Sequence, residues 1–109
     1  MIQPGAVVTV DFPGATGVKR RPALVVSTPT YHATRPDVVL AVVTSQTVSA
    51  TAPSDYVLQD WQAAGLHKPS AFRAFLVTLP AAAVGSVIGQ LSGRDWHEVQ
   101  ARLRVALAV

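Results

Sequence analysis

Residues 19–27 read KRRPALVVS, and this stretch decides the fold that we predict. Three cations stand directly before Pro22, and the run that follows it is apolar and includes two β-branched valines. A run of this kind after a proline is typical of a buried strand whose first residue lies at the edge of a sheet. We therefore predict a strand over residues 23–28. The cations expected at its entrance are Lys19, Arg20 and Arg21.

The basic cluster has two interpretations. At the entrance of a rigid strand, an arginine can hold a phosphate group through two parallel hydrogen bonds. The alternative is a solvated turn without a ligand, because charged side chains are mostly exposed in folded proteins whatever their role. The residues of the cluster alone leave both interpretations open.

Turn residues divide the rest of the chain into short segments. Further strands are predicted over residues 6–12, 38–46, 55–58, 71–77 and 86–91. The order S-x-x-D from Ser92, followed by apolar residues at helical spacing, predicts a C-terminal helix. Segment 60–65 predicts a single helical turn, with Asp60 as its N-cap and Gly65 just beyond its end.

Six short strands followed by one amphipathic helix predict a mainly β fold. The expected architecture is a small, strongly bent antiparallel sheet or barrel that the helix caps. The sequence has no glycine-rich phosphate loop, and its strands do not alternate with long helices, which excludes a nucleotide-binding α/β fold. With 109 residues, we expect one domain over residues 1–109.

Composition narrows the function classes. Half of the residues are apolar and 14% are charged, a balance that favours a surface covered by a second copy of the chain. The net charge of +3 suits a polyanionic partner. The absence of cysteine excludes disulfides and thiolate metal ligands. Because neither a signal peptide nor a membrane-spanning run is recognisable, we expect a soluble, cytoplasmic protein that binds no membrane.

Two groups of residues are candidates for a site. Arg21 and Thr44 stand at the start and the end of successive predicted strands, and on adjacent strands they can converge on one phosphate. The alternative for Thr44 is an ordinary β-forming residue. The second group is Lys68, Ser70 and Arg73, close to phenylalanines, a mixture found in grooves that bind single-stranded nucleic acid. Arg73 can equally be an edge-strand charge that prevents aggregation.

Histidine is the usual acid–base residue near neutral pH. His32 and His67, both in predicted loops, are therefore candidate general bases. No two histidines fall at metal-ligand spacing, and no carboxylate pair stands near either candidate group. We expect neither a metal ion nor a cofactor.

The order of these segments resembles one protein family. VVTVDFPG, KRRPALVVS, VLAVVTSQ and HKPSAFRAFLVTL, followed by an amphipathic helix, are similar to the MazF/PemK toxins of bacterial type II toxin–antitoxin systems. The resemblance implies an SH3-like β-barrel with a C-terminal helix, a homodimer, and sequence-selective, metal-independent cleavage of single-stranded mRNA that inhibits translation and growth. It implies products with a 2′,3′-cyclic phosphate and a 5′-OH. It also implies a short acidic antitoxin that lies across the RNA groove.

The resemblance also assigns roles to residues. Arg21 resembles the catalytic arginine of the family, Thr44 its catalytic threonine, and Gln46 the glutamine that contacts the substrate. We expect the RNA-binding groove to be lined by a wider set of polar residues. These are Lys19, Arg20, Gln46, Lys68, Ser70 and Arg73.

The chain departs from the family at its acidic positions. Segment 14–20 is short and contributes no carboxylate, and Phe75 stands where some members have an acid. The general base is therefore left open between His32, His67 and water.

Two other functions stay open at this point. The same fold resembles the CcdB gyrase poisons, which bind a protein target and cut nothing, although such a binder has no need of a converging arginine and hydroxyl. A degenerate toxin that only binds RNA or an antitoxin is the other alternative. The RNA recognition sequence and the identity of the antitoxin depend on variable loops, which the sequence does not resolve.

Overall fold

The computed structural model describes residues 2–14 and 17–109, and it shows a curled, six-stranded antiparallel sheet with a C-terminal helix. The strands are β1 (Ala6–Gly14), β2 (Gly17–Val25), β3 (Asp37–Thr44), β4 (Tyr56–Val57), β5 (Ala71–Pro80) and β6 (Val84–Gln90). The α-helices are α1 (Pro29–Thr34) and α2 (Gly93–Ala106), and 3₁₀ turns occupy Thr47–Ser49 and Ala81–Ala83. The sheet order is β4-β5-β3-β2-β1-β6. The predicted mainly β fold with a C-terminal helix is confirmed.

Side chains alternate between the two faces of this sheet and build two apolar clusters. On one face, which we call the helix-covered face, Val7, Leu24 and Phe72 pack with Val99 of α2. On the opposite face, a second cluster consists of strand residues. Its buried members are Ala6, Val8, Val10, Ala23, Val25, Val38 and Leu40. The two-residue period read from the sequence thus places one strand into two cores at once.

β2 begins earlier than the sequence predicts, so the basic cluster lies inside the strand and not at its entrance. β2 pairs with β1 from Val7↔Leu24 to Gly14↔Gly17, but with β3 only from Ala23 to Val25. Pro22 has no N–H to give to a ladder, and the pairing with β3 starts just after it. The cations therefore stand on a two-stranded extension, which we call the β1–β2 arm.

Two further local predictions need correction. The strand predicted to reach residue 28 ends at Val25, because Thr28 caps the helix α1 that the sequence analysis missed. In segment 60–65, Gly65 has the expected positive φ of 85°, but the Asp60 carboxylate does not cap the turn. It accepts hydrogen bonds from Arg94 and Ser92 instead. Residues 15 and 16, which belong to the short segment 14–20 of the sequence analysis, fall outside the described residues.

A buried carboxylate fastens α2 to the loops beneath it. Ser92 caps α2 as predicted, accepting from the backbone N–H of Asp95. The Asp95 side chain is fully buried and accepts three hydrogen bonds, from the Tyr56 hydroxyl at 2.7 Å and the N–H groups of Gln59 and Asp60 at 3.1 and 2.8 Å. We call this network the Asp95 junction. It fixes the chain just before segment 65–70, which reaches the opposite face.

Candidate functional site: a cationic groove

A groove of about 640 Å³ opens beside the place where β2 and β3 part. Its walls come from both of these strands, from β1, β5 and β6, and from segment 65–70. The lining residues are Thr9, Arg20, Arg21, Pro22, Val42, Val43, Thr44, Ser45, Gln46, Gly65, Leu66, His67, Lys68, Ser70, Phe75, Val77 and Ile88. Within the part of the chain that the structure describes, this lining includes basic residues but no carboxylate.

Arg21 and Thr44 stand across the mouth of the groove from each other. The last residues that β2 and β3 pair are Ala23 and Val42. Continuing that register by two residues on each strand sets Arg21 opposite Thr44, and the two-residue period puts both on the same face as Ala23 and Val42. The sequence expectation that these strands are neighbours is therefore confirmed.

The Thr44 hydroxyl is held in place and keeps its proton available. Its oxygen accepts a hydrogen bond from the backbone N–H of Gln46 at 3.1 Å, which closes a tight turn at the end of β3. A hydroxyl that accepts in this way can still donate one bond. The turn therefore presents a fixed donor to the groove, with the Gln46 side chain exposed beside it.

The cations near the groove differ in whether a carboxylate neutralises them. Arg20 donates to both oxygens of Asp11, at 3.0 and 3.3 Å, and this pairing lowers the pKa of Asp11 and raises that of Arg20. Arg73 lies 3.7 Å from Asp55. Over residues 2–14 and 17–109, neither Arg21 nor Lys68 forms an ion pair. The groove therefore carries positive charge that the described chain does not compensate.

Segment 65–70 reaches the groove because two backbones touch. A Cβ atom added to Gly89 would lie 2.0 Å from the Ala64 carbonyl oxygen, and one added to Gly65 would lie 2.1 Å from that of Ile88. Only glycine permits so close an approach. Beyond the contact, the Ser70 hydroxyl donates to the Lys68 carbonyl at 2.8 Å and holds the lysine backbone. His67 and Lys68 thus lie in the groove on a loop that the backbone contact and the Ser70 hydrogen bond hold in place.

The structure brings most of the predicted site residues together, but not all. Arg20, Arg21, Thr44, Gln46, His67, Lys68 and Ser70 line the groove. Lys19 and Arg73, expected in its lining, are not among the lining residues, since Lys19 is exposed on the β1–β2 arm and Arg73 turns to Asp55.

His32, one of the two candidate bases, is not in the groove lining either. It lies in α1, and its Nε2 is 2.6 Å from the Ser27 hydroxyl, which also accepts from the Val39 N–H at 3.0 Å. This arrangement ties α1 to β3. Of the three histidines, all within the described residues, only His67 lines the groove.

The sequence analysis missed the apolar wall of the groove, formed by Phe75, Val77 and Ile88. It predicted a strand over residues 71–77, and it noted Phe75 as a neighbour of Arg73 in a possible groove for single-stranded nucleic acid and as the position of a missing acid, but it did not assign Phe75 to this wall. A parity argument would have found the wall, because residues an odd number apart on a strand face opposite ways. With Phe72 in the core, Phe75 and Val77 must face away from it.

The described residues contain neither a metal-binding cluster nor a membrane-spanning helix. Histidine and carboxylate side chains form no group of three or more that is placed to hold a metal ion. Neither α-helix combines the length and the apolarity needed to cross a bilayer.

Comparisons with known proteins give one family and one fold. Residues 3–107 match the family described as PemK-like, MazF-like toxins of type II toxin–antitoxin systems. No curated protein matches the chain in sequence. Among solved structures, an endoribonuclease bound to its cognate antitoxin from a mycobacterial species superposes with a TM-score of 0.82 at 21% identity, covering 100% of this chain and 97% of that one.

Two further solved structures are similar. The MazE–MazF complex of Deinococcus radiodurans gives a TM-score of 0.78 at 20% identity, covering 99% of this chain and 97% of that one. A MazF toxin of Mycobacterium tuberculosis gives 0.78 at 17% identity, covering 95% and 97%. At these identities the likeness establishes the fold.

Proposed function

The chain belongs to the PemK-like, MazF-like toxins of type II toxin–antitoxin systems, and we propose that it is an endoribonuclease that cleaves single-stranded mRNA in the cytoplasm. One observation carries the proposal. An arginine without a carboxylate partner among the described residues, Arg21, lines one cationic groove together with a hydroxyl donor, Thr44, and the two lie just beyond the paired ends of adjacent strands. Two such donors suit the charge that develops on a phosphoryl group in a transition state.

The proposed reaction is a transesterification within the RNA. The ribose 2′-oxygen attacks the adjacent phosphorus, a base takes the 2′-OH proton, and the P–O5′ bond breaks as the leaving oxygen acquires a proton. The products are a 2′,3′-cyclic phosphate and a 5′-OH end. Arg21 stabilises the negative phosphorane oxygens, and Thr44 donates one hydrogen bond to them.

Proton removal needs a group other than Arg21, because a guanidinium stays protonated in proteins. Asp11 is a poor choice, since its bidentate pairing with Arg20 lowers its pKa and occupies both oxygens. His67 lines the groove and is exposed there, whereas His32 does not line it. We assign the role of base to His67, with water as the alternative acceptor.

An acidic antitoxin segment fits the same groove in this proposal. Two of the similar solved structures contain a toxin-like chain together with an antitoxin. The uncompensated charge of Arg21 and Lys68 attracts a carboxylate-rich, disordered peptide for the same reason that it attracts phosphates. RNA and antitoxin should therefore exclude each other.

We also propose a homodimer. Several large apolar side chains are exposed in the described single chain, among them Val18, Val87, Val105 and Val109. A symmetric second copy is the simplest cover for them. Sedimentation at micromolar concentration tests this proposal directly, and a clean monomer would contradict it.

The cleavage proposal is tested by incubating the purified protein with a long single-stranded RNA in EDTA and mapping the ends. We expect cuts at a limited set of sequences, with cyclic phosphates and 5′-OH ends, and protection of the same RNA when it is annealed into a duplex. Tight binding of a protein target with no cleavage would instead favour a non-enzymatic poison of the CcdB kind. Binding of RNA without cleavage would favour a degenerate toxin.

A further inference from the structure

Phe75 lies in an irregularity of the sheet. Between the pair Ala41–Leu76 and the next pair of the β3–β5 ladder, two residues of β5, Ala74 and Phe75, have no counterpart on β3. A bulge of this kind bends its strand and re-aims side chains, and bulges are frequent beside active sites. Here the bulge stands at the groove wall.

The ring that the bulge carries is left in solvent. Phe75 is 64% exposed, whereas Phe72, three residues earlier on the same strand, is fully buried. A phenylalanine in water gives up the stabilisation that burial supplies. The exposed ring is therefore available to a ligand or a partner.

The surroundings of Phe75 identify the ligand chemistry. Val77 and Ile88 extend the wall beside it, and Arg21 and Lys68 line the same groove without a carboxylate partner in the described chain. An aromatic face together with backbone-tracking cations is the combination by which proteins bind unpaired bases. A peptide needs no flat ring, and a duplex has no free base to stack.

We propose that Phe75 is a stacking platform for one unpaired base of the RNA and helps to determine which positions are cut. This inference rests on the proposed endoribonuclease function. Phe75 acts by binding and positioning the strand, while Arg21 acts on the phosphate. Substituting Phe75 should therefore raise KM more than it lowers kcat.

The experiment uses a single-stranded oligonucleotide with a 2′-O-methyl group at the cut site, so that it binds without being cleaved. Binding is measured for wild type and for Phe75→Ala, Phe75→Leu and Phe75→Trp, with each base in turn replaced by an abasic unit. Val57→Ala is the matched control, since Val57 is 44% exposed on β4 but does not line the groove.

Stacking on an aromatic ring predicts a different affinity for each variant. Phe75→Ala and Phe75→Leu should lose about ten- to a hundredfold in affinity, while Phe75→Trp and Val57→Ala bind as wild type does. One abasic position should lower the affinity of wild type for the oligonucleotide but should not lower that of Phe75→Ala. A general structural defect does not produce this coupling between one base and one side chain. The salt dependence should be that of wild type in every Phe75 variant and shallower by about 0.7 in Lys68→Ala.

Three outcomes would overturn the inference while leaving the proposed function intact. The first is that wild type binds and cleaves the RNA and that Phe75→Leu does so with the same affinity and rate. The second is the absence of any abasic position coupled to residue 75. The third is a Phe75→Ala defect that disappears at protein concentrations restoring a dimer, which would make Phe75 a subunit contact. Failure of wild type to bind or cut single-stranded RNA would instead overturn the proposed function, and this inference with it.

Discussion

The groove and the Asp95 junction differ in whether their charged side chains have partners within the chain. At the junction, Asp95 is fully buried and its carboxylate accepts three hydrogen bonds, while Arg94 and Asp60 neutralise each other at 2.7 Å. In the groove, Arg21 and Lys68 have no carboxylate partner among the described residues, and Phe75 is exposed. The charges at the junction are paired within the chain, whereas Arg21 and Lys68 in the groove are available to a ligand.

The comparison separates charges that hold the fold from charges that serve a ligand. Both regions contain arginines and both adjoin the same loop, so sequence composition does not distinguish them. What distinguishes them is whether each charge is already satisfied within the chain. Substitutions in one region at a time distinguish the two kinds of charge, because those at the junction should lower stability and those in the groove should lower the rate of cleavage.

Arg21→Ala should have the largest effect, a fall of about 10²–10³-fold in the rate of RNA cleavage, because it removes a charged donor to the phosphorane. The melting temperature should stay near that of wild type, since Arg21 is exposed and makes no ion pair in the described chain. Single-turnover cleavage and thermal melting measure the two quantities.

Arg73→Ala is the matched control for Arg21→Ala. It removes an arginine whose charge already faces Asp55 at 3.7 Å and that does not line the groove. Cleavage should change less than about threefold, a small effect beside that of a phosphate donor. Equal losses for the two variants would mean that only overall charge matters.

Asp95→Ala should give the opposite pattern, with a loss of about 3 kcal/mol or more in the free energy of unfolding. The substitution leaves the Tyr56 hydroxyl and two backbone N–H groups without their acceptor, and each buried unsatisfied donor costs about 1–3 kcal/mol. Denaturant unfolding measures the loss. Cleavage per folded molecule should be preserved, and a selective loss of activity at full stability would contradict the division between the regions.

The sequence predicted the general architecture well because its signals are local. The strand predicted over residues 6–12 and the Ser92 cap rest on short-range features, and the structure has β1 over Ala6–Gly14 and the cap at Ser92. The start of β2 was misjudged since the strand extends through pairing with β1, which is a long-range contact. The β-propensity of Lys19 and its neighbours does not predict that pairing.

The candidate site was predictable to the extent that chemistry follows residue type. Arg21 and Thr44 were named as candidates because a cation precedes one predicted strand and a hydroxyl ends the next, and both line the groove. The turning of Arg73 toward Asp55, and of His32 toward Ser27, depends on contacts between distant segments. The bulge at Ala74 and Phe75 belongs to the pairing of β5 with β3, which the sequence of β5 alone does not show.

Thr44→Val should lower cleavage by about tenfold, the worth of one neutral hydrogen bond. The substitution removes both the donor to the phosphate and the acceptor of the Gln46 N–H. Thr44→Ser keeps both bonds and should retain nearly all activity. If the melting temperature fell with activity in the valine variant and the serine variant did not recover both, Thr44 would be structural.

Tyr56 should produce the smallest effect, a loss of stability at alkaline pH. Burial, aided by the hydrogen bond to Asp95 and its charge, raises the pKa of Tyr56 to about 12 from 10.0. Because the folded state holds this proton more tightly, the contribution is complete below pH about 10 and is lost as the pH rises toward 12. Tyr56→Phe should show a flatter decline between pH 9 and 11 in denaturant unfolding. Parallel declines in both proteins would rule out this role.

The most direct test of the division between groove and junction is to follow arginine side-chain and backbone N–H resonances while a non-cleavable single-stranded oligonucleotide is added. The account predicts that the Nε–H of Arg21 and the amides of His67 and Phe75 shift, with the shifts suppressed by salt. The Nε–H of Arg94 and the amide of Asp95 should not move. Shifts centred on the Asp95 junction, or an Arg21 resonance that ignores a bound strand, would contradict the assignment of the groove as the RNA site.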